Sequence, residues 1–224
     1  IINYDKINKE IDKINKPERP LPSGYVTSGH AYLFALLLFF LGIVVSFRIT
    51  WPCIITASLS SVLLYLYSAW LKRTTLWGNL TVALLTGLAF VYGGLAVGNP
   101  QKAFMVGGFA FLYHLAREII KDTEDMKGDQ KEGLSTFPLR YGVNAALRLA
   151  SFVIVLLIAL TFLPVFFGLF KPVYYVVVGF GVDLFLIYTL FSMWMNSDSD
   201  NLRRIAFLMK LNMIVGLLAV YLGS

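Results

Sequence analysis

The sequence predicts an all-α membrane protein, a polytopic bundle of seven transmembrane helices, and three observations carry that prediction. Of 224 residues, 58% are hydrophobic and only 14% charged, where a soluble domain carries about 25% charged residues. Apolar stretches recur along the chain, each near the ~20 residues that a bilayer requires. Numbered alternately, the connections between them sort the charges onto one side of the membrane.

The first span is read at 31–47, after a polar opening rich in proline. The second, 52–71, starts on Pro52, where the missing N–H of a first turn does no harm. Cys53, the single cysteine, sits in this run as a small packed side chain. One cysteine excludes an internal disulfide framework and a cysteine metal cluster. The third span covers 80–97. The fourth, 103–120, holds about a dozen purely apolar residues before Arg117, too few to cross alone. Arg117, Glu118 and Asp122 are therefore expected in a protein-lined cavity, since each ionised group at mid-membrane costs on the order of 2.5–3.5 kcal/mol. The fifth span, 143–167, contains Pro164, which ends or kinks it. The sixth, 172–195, opens on Pro172 and carries Asp183, the lone acid deep in an apolar run. Such an acid marks function by default, or it pairs with a hydroxyl such as Tyr188 or Thr189. Residues 197–201 read as a short solvated loop before the seventh span, 205–222.

Of the 19 Lys and Arg residues, all but Arg48, Lys102 and Lys171 fall on one side. The positive-inside rule makes that side cytoplasmic. Every Asp and Glu except Asp183 lies there too. The expected location is the cell membrane, multi-pass, with the functional face toward the cytoplasm. Ile1-Ile2-Asn3 reads as the tail of a preceding helix, so residues 1–224 are read as a single transmembrane domain whose N-terminal spans are missing. Nothing in the sequence points to nucleic acid or to a protein partner.

Two acidic clusters share one spacing, Asp5-x-x-Asn8-x-x-x-Asp12 and Asp122-x-x-Asp125-x-x-x-Asp129. At about 100° per residue, positions i, i+3 and i+7 fall on one helical face. Oxygen-only ligand sets suit hard cations such as Mg²⁺, which binds a few carboxylates plus substrate phosphates. Asp5, Asn8, Asp12, Asp122, Asp125 and Asp129 are the candidate metal ligands. After the first cluster, Pro17, Pro20 and Pro22 impose a rigid, extended path that can hold Arg19 against phosphate oxygens. Lys16 serves the same end or faces anionic lipid. Lys72 contacts a diphosphate or snorkels to the interface, and Tyr67 fits an aromatic belt. His114, one turn before Glu118, reads as a hydrogen-bonded packing histidine or as a wall of the polar cavity.

These residues resemble the UbiA-type intramembrane prenyltransferases. Asp5 and Asp12 match the first and third aspartates of that family's first motif. Tyr4 and Asn8 depart from its leading asparagine and middle aspartate. The continuation from Lys13 through Pro17, Arg19, Pro20, Pro22, Ser23 and Gly24 is closely similar. The run from Arg117 and Glu118 through Lys121, Asp122, Glu124, Asp125, Gly128 and Asp129 resembles the second motif. The segment Tyr67-Ser68, Lys72-Arg73 and Gly78-Asn79 is similar to a family stretch associated with diphosphate binding. The resemblance spans nearly the whole chain. It implies nine spans in a full-length member and an enzyme that transfers a prenyl group from its diphosphate with Mg²⁺. It also implies catalytic roles for Asp122, Asp125 and Lys72, and substrate binding by Arg19, Tyr67, Ser68, Lys72, Arg73, Asn79, Arg117 and Lys121. The form of the second motif is most similar to archaeal digeranylgeranylglyceryl phosphate synthases, which implies geranylgeranyl diphosphate as donor and geranylgeranylglyceryl phosphate as the lipid acceptor. An aromatic or chlorin acceptor is the alternative within the family. Outside it stands a transporter of an anionic metabolite or divalent cation, against which the gathering of both clusters on one face argues, because a conduit needs access from both.

Overall fold

The computed structural model describes residues 18, 20, 21, 23–131 and 133–224. All seven expected spans form helices long and apolar enough to cross a membrane, and no strand occurs among the described residues. The chain forms two units, Ile1–Lys72 and Arg73–Ser224.

In the first unit, α1 (Ser28–Ser46) packs on α2 (Trp51–Ala69). Thr27 caps α1 by accepting a hydrogen bond from the His30 backbone N–H at 3.3 Å, which satisfies a donor the helix start leaves open. Pro52 occupies the first turn of α2. Cys53 beside it is fully buried, and the Thr50 hydroxyl donates to its sulfur at 3.1 Å.

The second unit contains α3 (Trp77–Ala96), α4 (Pro100–Glu124), the short α5 (Met126–Lys131) and α6 (Phe137–Tyr141), and α7 (Val143–Thr161). A 3₁₀ turn with Pro164 in its first turn, Leu163–Phe167, ends the fifth span. There follow α8 (Pro172–Val177), a π-helical turn (Val178–Asp183), α9 (Leu184–Met195) and α10 (Ser199–Gly223). At the centre stands α4, packed against α3, α7 and α10. Its crossing with α3 depends on two glycines. A Cβ on Gly87 would come within 2.7 Å of the Gly107 carbonyl oxygen, and one on Gly107 within 2.9 Å of the Gly87 oxygen. Such backbone contact through small residues is how membrane helices associate when lipid removes the hydrophobic drive. Toward its C-terminal end, α4 buries Ile119 and Ile120 completely in a core that also holds Leu147 and Ile154 of α7 and Leu202 and Ile205 of α10. That core holds the charged end of α4 in place.

The course of the helices departs from the sequence reading at several points. Between the fourth and fifth expected spans, residues 126–131 and 137–141 form the short helices α5 and α6. Helix α10 starts at Ser199, inside the expected solvated loop. The sixth span is not uniformly α-helical, because the Asn212 side-chain amide donates to the Gly181 carbonyl at 2.7 Å. A side chain that takes a helical carbonyl perturbs the α ladder, and the backbone here answers with the π turn.

Candidate active site

The charged end of α4 is one continuous helix through Arg117, Glu118, Lys121 and Asp122. The expected single face for the second cluster is interrupted. Asp125 is the C-cap of α4 and Asp129 lies on α5. The break is tight: the Gly128 and Asp129 N–H groups donate to the Asp125 carbonyl at 2.8 and 2.9 Å. A Cβ on Gly128 would meet Asp125 Oδ1 at 2.5 Å and Cγ at 3.3 Å, so glycine there lets the carboxylate fold over the turn.

Asp122 is half-buried, and Asn79 at the start of α3 donates to its Oδ2 at 2.8 Å. Asn79 is itself buried, 9% exposed, which fixes the direction of the bond. Arg117 reaches in two directions. Its Nη1 donates to Glu118 Oε1 at 2.7 Å and its Nε to the Ala206 carbonyl of α10 at 3.2 Å. Lys121 stands 4.0 Å from Glu118 Oε2 with half its side chain exposed, so it is only loosely held. Glu124 is engaged by α10: Arg203 Nε donates to its carboxylate at 2.8 Å, and the Ser199 hydroxyl to its backbone carbonyl at 2.9 Å.

Asn79, Arg117, Lys121, Asp122, Asp125 and Asp129 thus all lie on the second unit, at the start of α3, at the charged end of α4 and on α5. Arg73 opens the same unit and is exposed. Tyr67 and Ser68 at the end of α2, half-buried, and the exposed Lys72 belong to the first unit. Asp5, Asn8, Asp12 and Arg19 lie outside the described residues. Among the described residues no three His, Cys, Asp or Glu side chains converge as a ready metal cage. The donor set still fits Mg²⁺, which holds to one or two carboxylates and takes its other ligands from phosphates and water. Asp122, oriented through Oδ2, and Asp125 and Asp129 on the adjoining turn offer only hard oxygen atoms.

A feature the sequence reading missed lies deeper in the second unit. A cavity of about 310 Å³ is lined by α3, α4, α7, α8, the π turn and α10. Its walls are chiefly apolar, among them Phe90, Phe109, Leu157 and Val182. The Tyr113 hydroxyl lies 2.9 Å from the Met209 carbonyl and 3.1 Å from Asn212 Oδ1. Asp183 pairs with a hydroxyl, as one sequence reading had it, but with that of Thr161, 3.1 Å from its Oδ2, in place of Tyr188 or Thr189. Tyr113 and Asn212, polar groups within apolar spans, were the available signal.

A family model described as the UbiA prenyltransferase family matches residues 5–214. The digeranylgeranylglyceryl phosphate synthase of Methanosphaera stadtmanae is 36% identical over 220 residues, 98% of this chain and 80% of its own length. That of Methanopyrus kandleri is 38% identical over 215 residues, 96% of this chain and 78% of its own. A solved structure of a digeranylgeranylglyceryl phosphate synthase matches with a TM-score of 0.87 at 34% identity, over 99% of this chain and 79% of that one. A UbiA homolog from Archaeoglobus fulgidus, solved with DMAPP and Mg²⁺, shares the fold with a TM-score of 0.71 at 18% identity, over 96% of this chain and 80% of that one.

Proposed function

This chain belongs to the UbiA prenyltransferase family, and from that premise we propose that it transfers a geranylgeranyl group from its diphosphate to geranylgeranylglyceryl phosphate, with Mg²⁺, to form a membrane ether lipid. The observation that carries the reading is the charged end of α4, where Asn79 fixes Asp122 beside Asp125 and Asp129. Likeness to the named synthases over nearly the whole chain supports the choice of donor and acceptor.

Residues 1–224 act as one transmembrane domain in this reading, with the active end facing the cytoplasm, an orientation that the charge bias supports. Asp5, Asn8, Asp12, Asp122, Asp125 and Asp129 hold the metal. Bound Mg²⁺ supplies positive charge against the diphosphate oxygens as the leaving group forms. Lys72, Arg73, Lys121 and Arg19 bind the diphosphate, with Tyr67, Ser68 and Asn79 completing the substrate contacts. Arg117 spends two of its N–H groups on Glu118 and Ala206. A guanidinium has five such donors, so the others remain for phosphate while the first two pin α4 to α10. In the reaction the allylic C–O bond breaks and diphosphate leaves with the electron pair. The acceptor oxygen bonds to the allylic carbon and gives up its proton. A bilayer-embedded cavity keeps water from the cationic carbon.

The test is direct. Purified protein with Mg²⁺, geranylgeranyl diphosphate and geranylgeranylglyceryl phosphate should release diphosphate and form the diether detected by mass spectrometry, and EDTA should stop both. Undiminished turnover in EDTA, or product only with aromatic or chlorin acceptors, overturns the assignment.

A further inference from the structure

The cavity wall carries six polar side chains, and five of them are satisfied inside the protein. The Thr86 hydroxyl donates to the Val82 carbonyl at 2.9 Å. Tyr113 has Met209 and Asn212, and Asn212 has Gly181 as well. The Thr161 hydroxyl lies 2.7 Å from the Ile158 carbonyl, and Tyr174 donates to the Thr161 carbonyl at 3.3 Å. The sixth is His114. Its ring hydrogen-bonds to none of the described residues, and it is not the packed, hydrogen-bonded histidine that the sequence allowed.

Its position, with Arg117 and Glu118 acting on it from the next turn, gives that imidazole a meaning. His114 is the wall residue of α4 closest along the helix to the acidic end. Glu118 and Asp122 follow at i+4 and i+8, about 40° and 80° round the helix from it. At 1.5 Å per residue, Asp122 stands about 12 Å further along the axis. His114 therefore marks where the apolar cavity gives way to the carboxylate face. A ligand with its diphosphate at the acidic end and its hydrocarbon in the cavity has its first carbon close to that boundary.

Resting on the function proposed above, we propose that His114 is the base that takes the proton of the acceptor hydroxyl. Neutral imidazole offers one lone-pair nitrogen and exchanges protons near neutral pH. As the diphosphate departs with the allylic C–O electron pair, the acceptor oxygen bonds to the allylic carbon and its O–H proton passes to the His114 ring. The imidazolium then releases that proton to solvent or to diphosphate. No oxidant or further reactant is needed.

The test compares His114→Gln, which keeps a polar side chain but no base, with His114→Ala, which leaves room for an added imidazole. Both should keep the thermal unfolding profile and the affinity for geranylgeranyl diphosphate with Mg²⁺, and both should lose about 10²–10⁴-fold in kcat, the usual worth of a positioned base. Exogenous imidazole should restore turnover to the alanine variant. Retained kcat in His114→Gln, a loss confined to KM, or a folded, substrate-binding His114→Ala that imidazole does not rescue overturns the assignment. A wild-type protein that forms no ether overturns the functional reading itself, and with it this one.

Discussion

Asp122 and Asn79 show how one hydrogen bond can set the behaviour of a metal site. The amide holds Oδ2 at 2.8 Å from a buried position, so the carboxylate is aimed before any cation arrives. Partners that orient a metal ligand are typically worth about 10–100-fold in metal affinity. Asn79→Ala is therefore expected to raise the Mg²⁺ concentration for half-maximal turnover by that factor, with most of kcat recovered at saturating metal. Asp122→Ala removes the ligand itself. Charge stabilisation worth several kcal/mol is then lost, and turnover should fall on the order of 10³-fold or more with unchanged helical circular dichroism. The spacing of Asp122, Asp125 and Asp129 was legible because it is local. Asn79 came to notice only through family resemblance, since its partner lies 43 residues away. Arg117 was legible as a charge in a membrane span but not as a tie to Ala206, because that contact depends on how α4 crosses α10.

Helix α4 carries the site and spans the unit, so its packing governs whether the site exists. The Gly87–Gly107 contact leaves no room for a side chain. Gly107→Val is expected to cost about 1–3 kcal/mol by overpacking and to lower the unfolding temperature in detergent. A Cβ on Gly108, one position on, meets nothing within 4 Å, and Gly108→Ala should leave the unfolding temperature unchanged or raise it. Whereas the fourth and seventh helices run to 25 residues where 18 were read, the existence of the spans, and their starts near Pro52 and at Val143 and Pro172, followed from hydropathy and proline positions. The π turn did not, since it arises from Asn212 on another helix. The interruption at Asp125 also escaped a reading based on ideal periodicity.

Seven membrane-length helices among the described residues, and the placement of all but three basic residues on one side of them, characterise the chain at the largest scale. The same bias predicts orientation. In a Cys53→Ala background, a membrane-impermeant maleimide applied to intact cells should label Gln101→Cys but not Lys127→Cys, with the pattern reversed in inside-out vesicles. Labelling of Lys127→Cys from outside would invert the proposed topology. The number of spans and the charged face were legible at this scale because membrane insertion acts on composition and charge rather than on detailed contacts. The cavity was not, since it is made of residues from five spans whose sequence positions share no pattern.

The π turn at Val178–Asp183 amounts to one surplus residue wound into the sixth span. The wide turn takes up that surplus locally, and Leu186, Thr189 and Met193 beyond it lie in the interior. Excising Gly179 would rewind the turn to regular α-helix and leave this stripe facing inward, because the wider turn holds its extra residue over the rotation an α-helix makes without it. The same single-codon deletion within α9, where no slack turn exists, would rotate the residues after it by about 100° toward lipid, although hydropathy would score the two deletions alike.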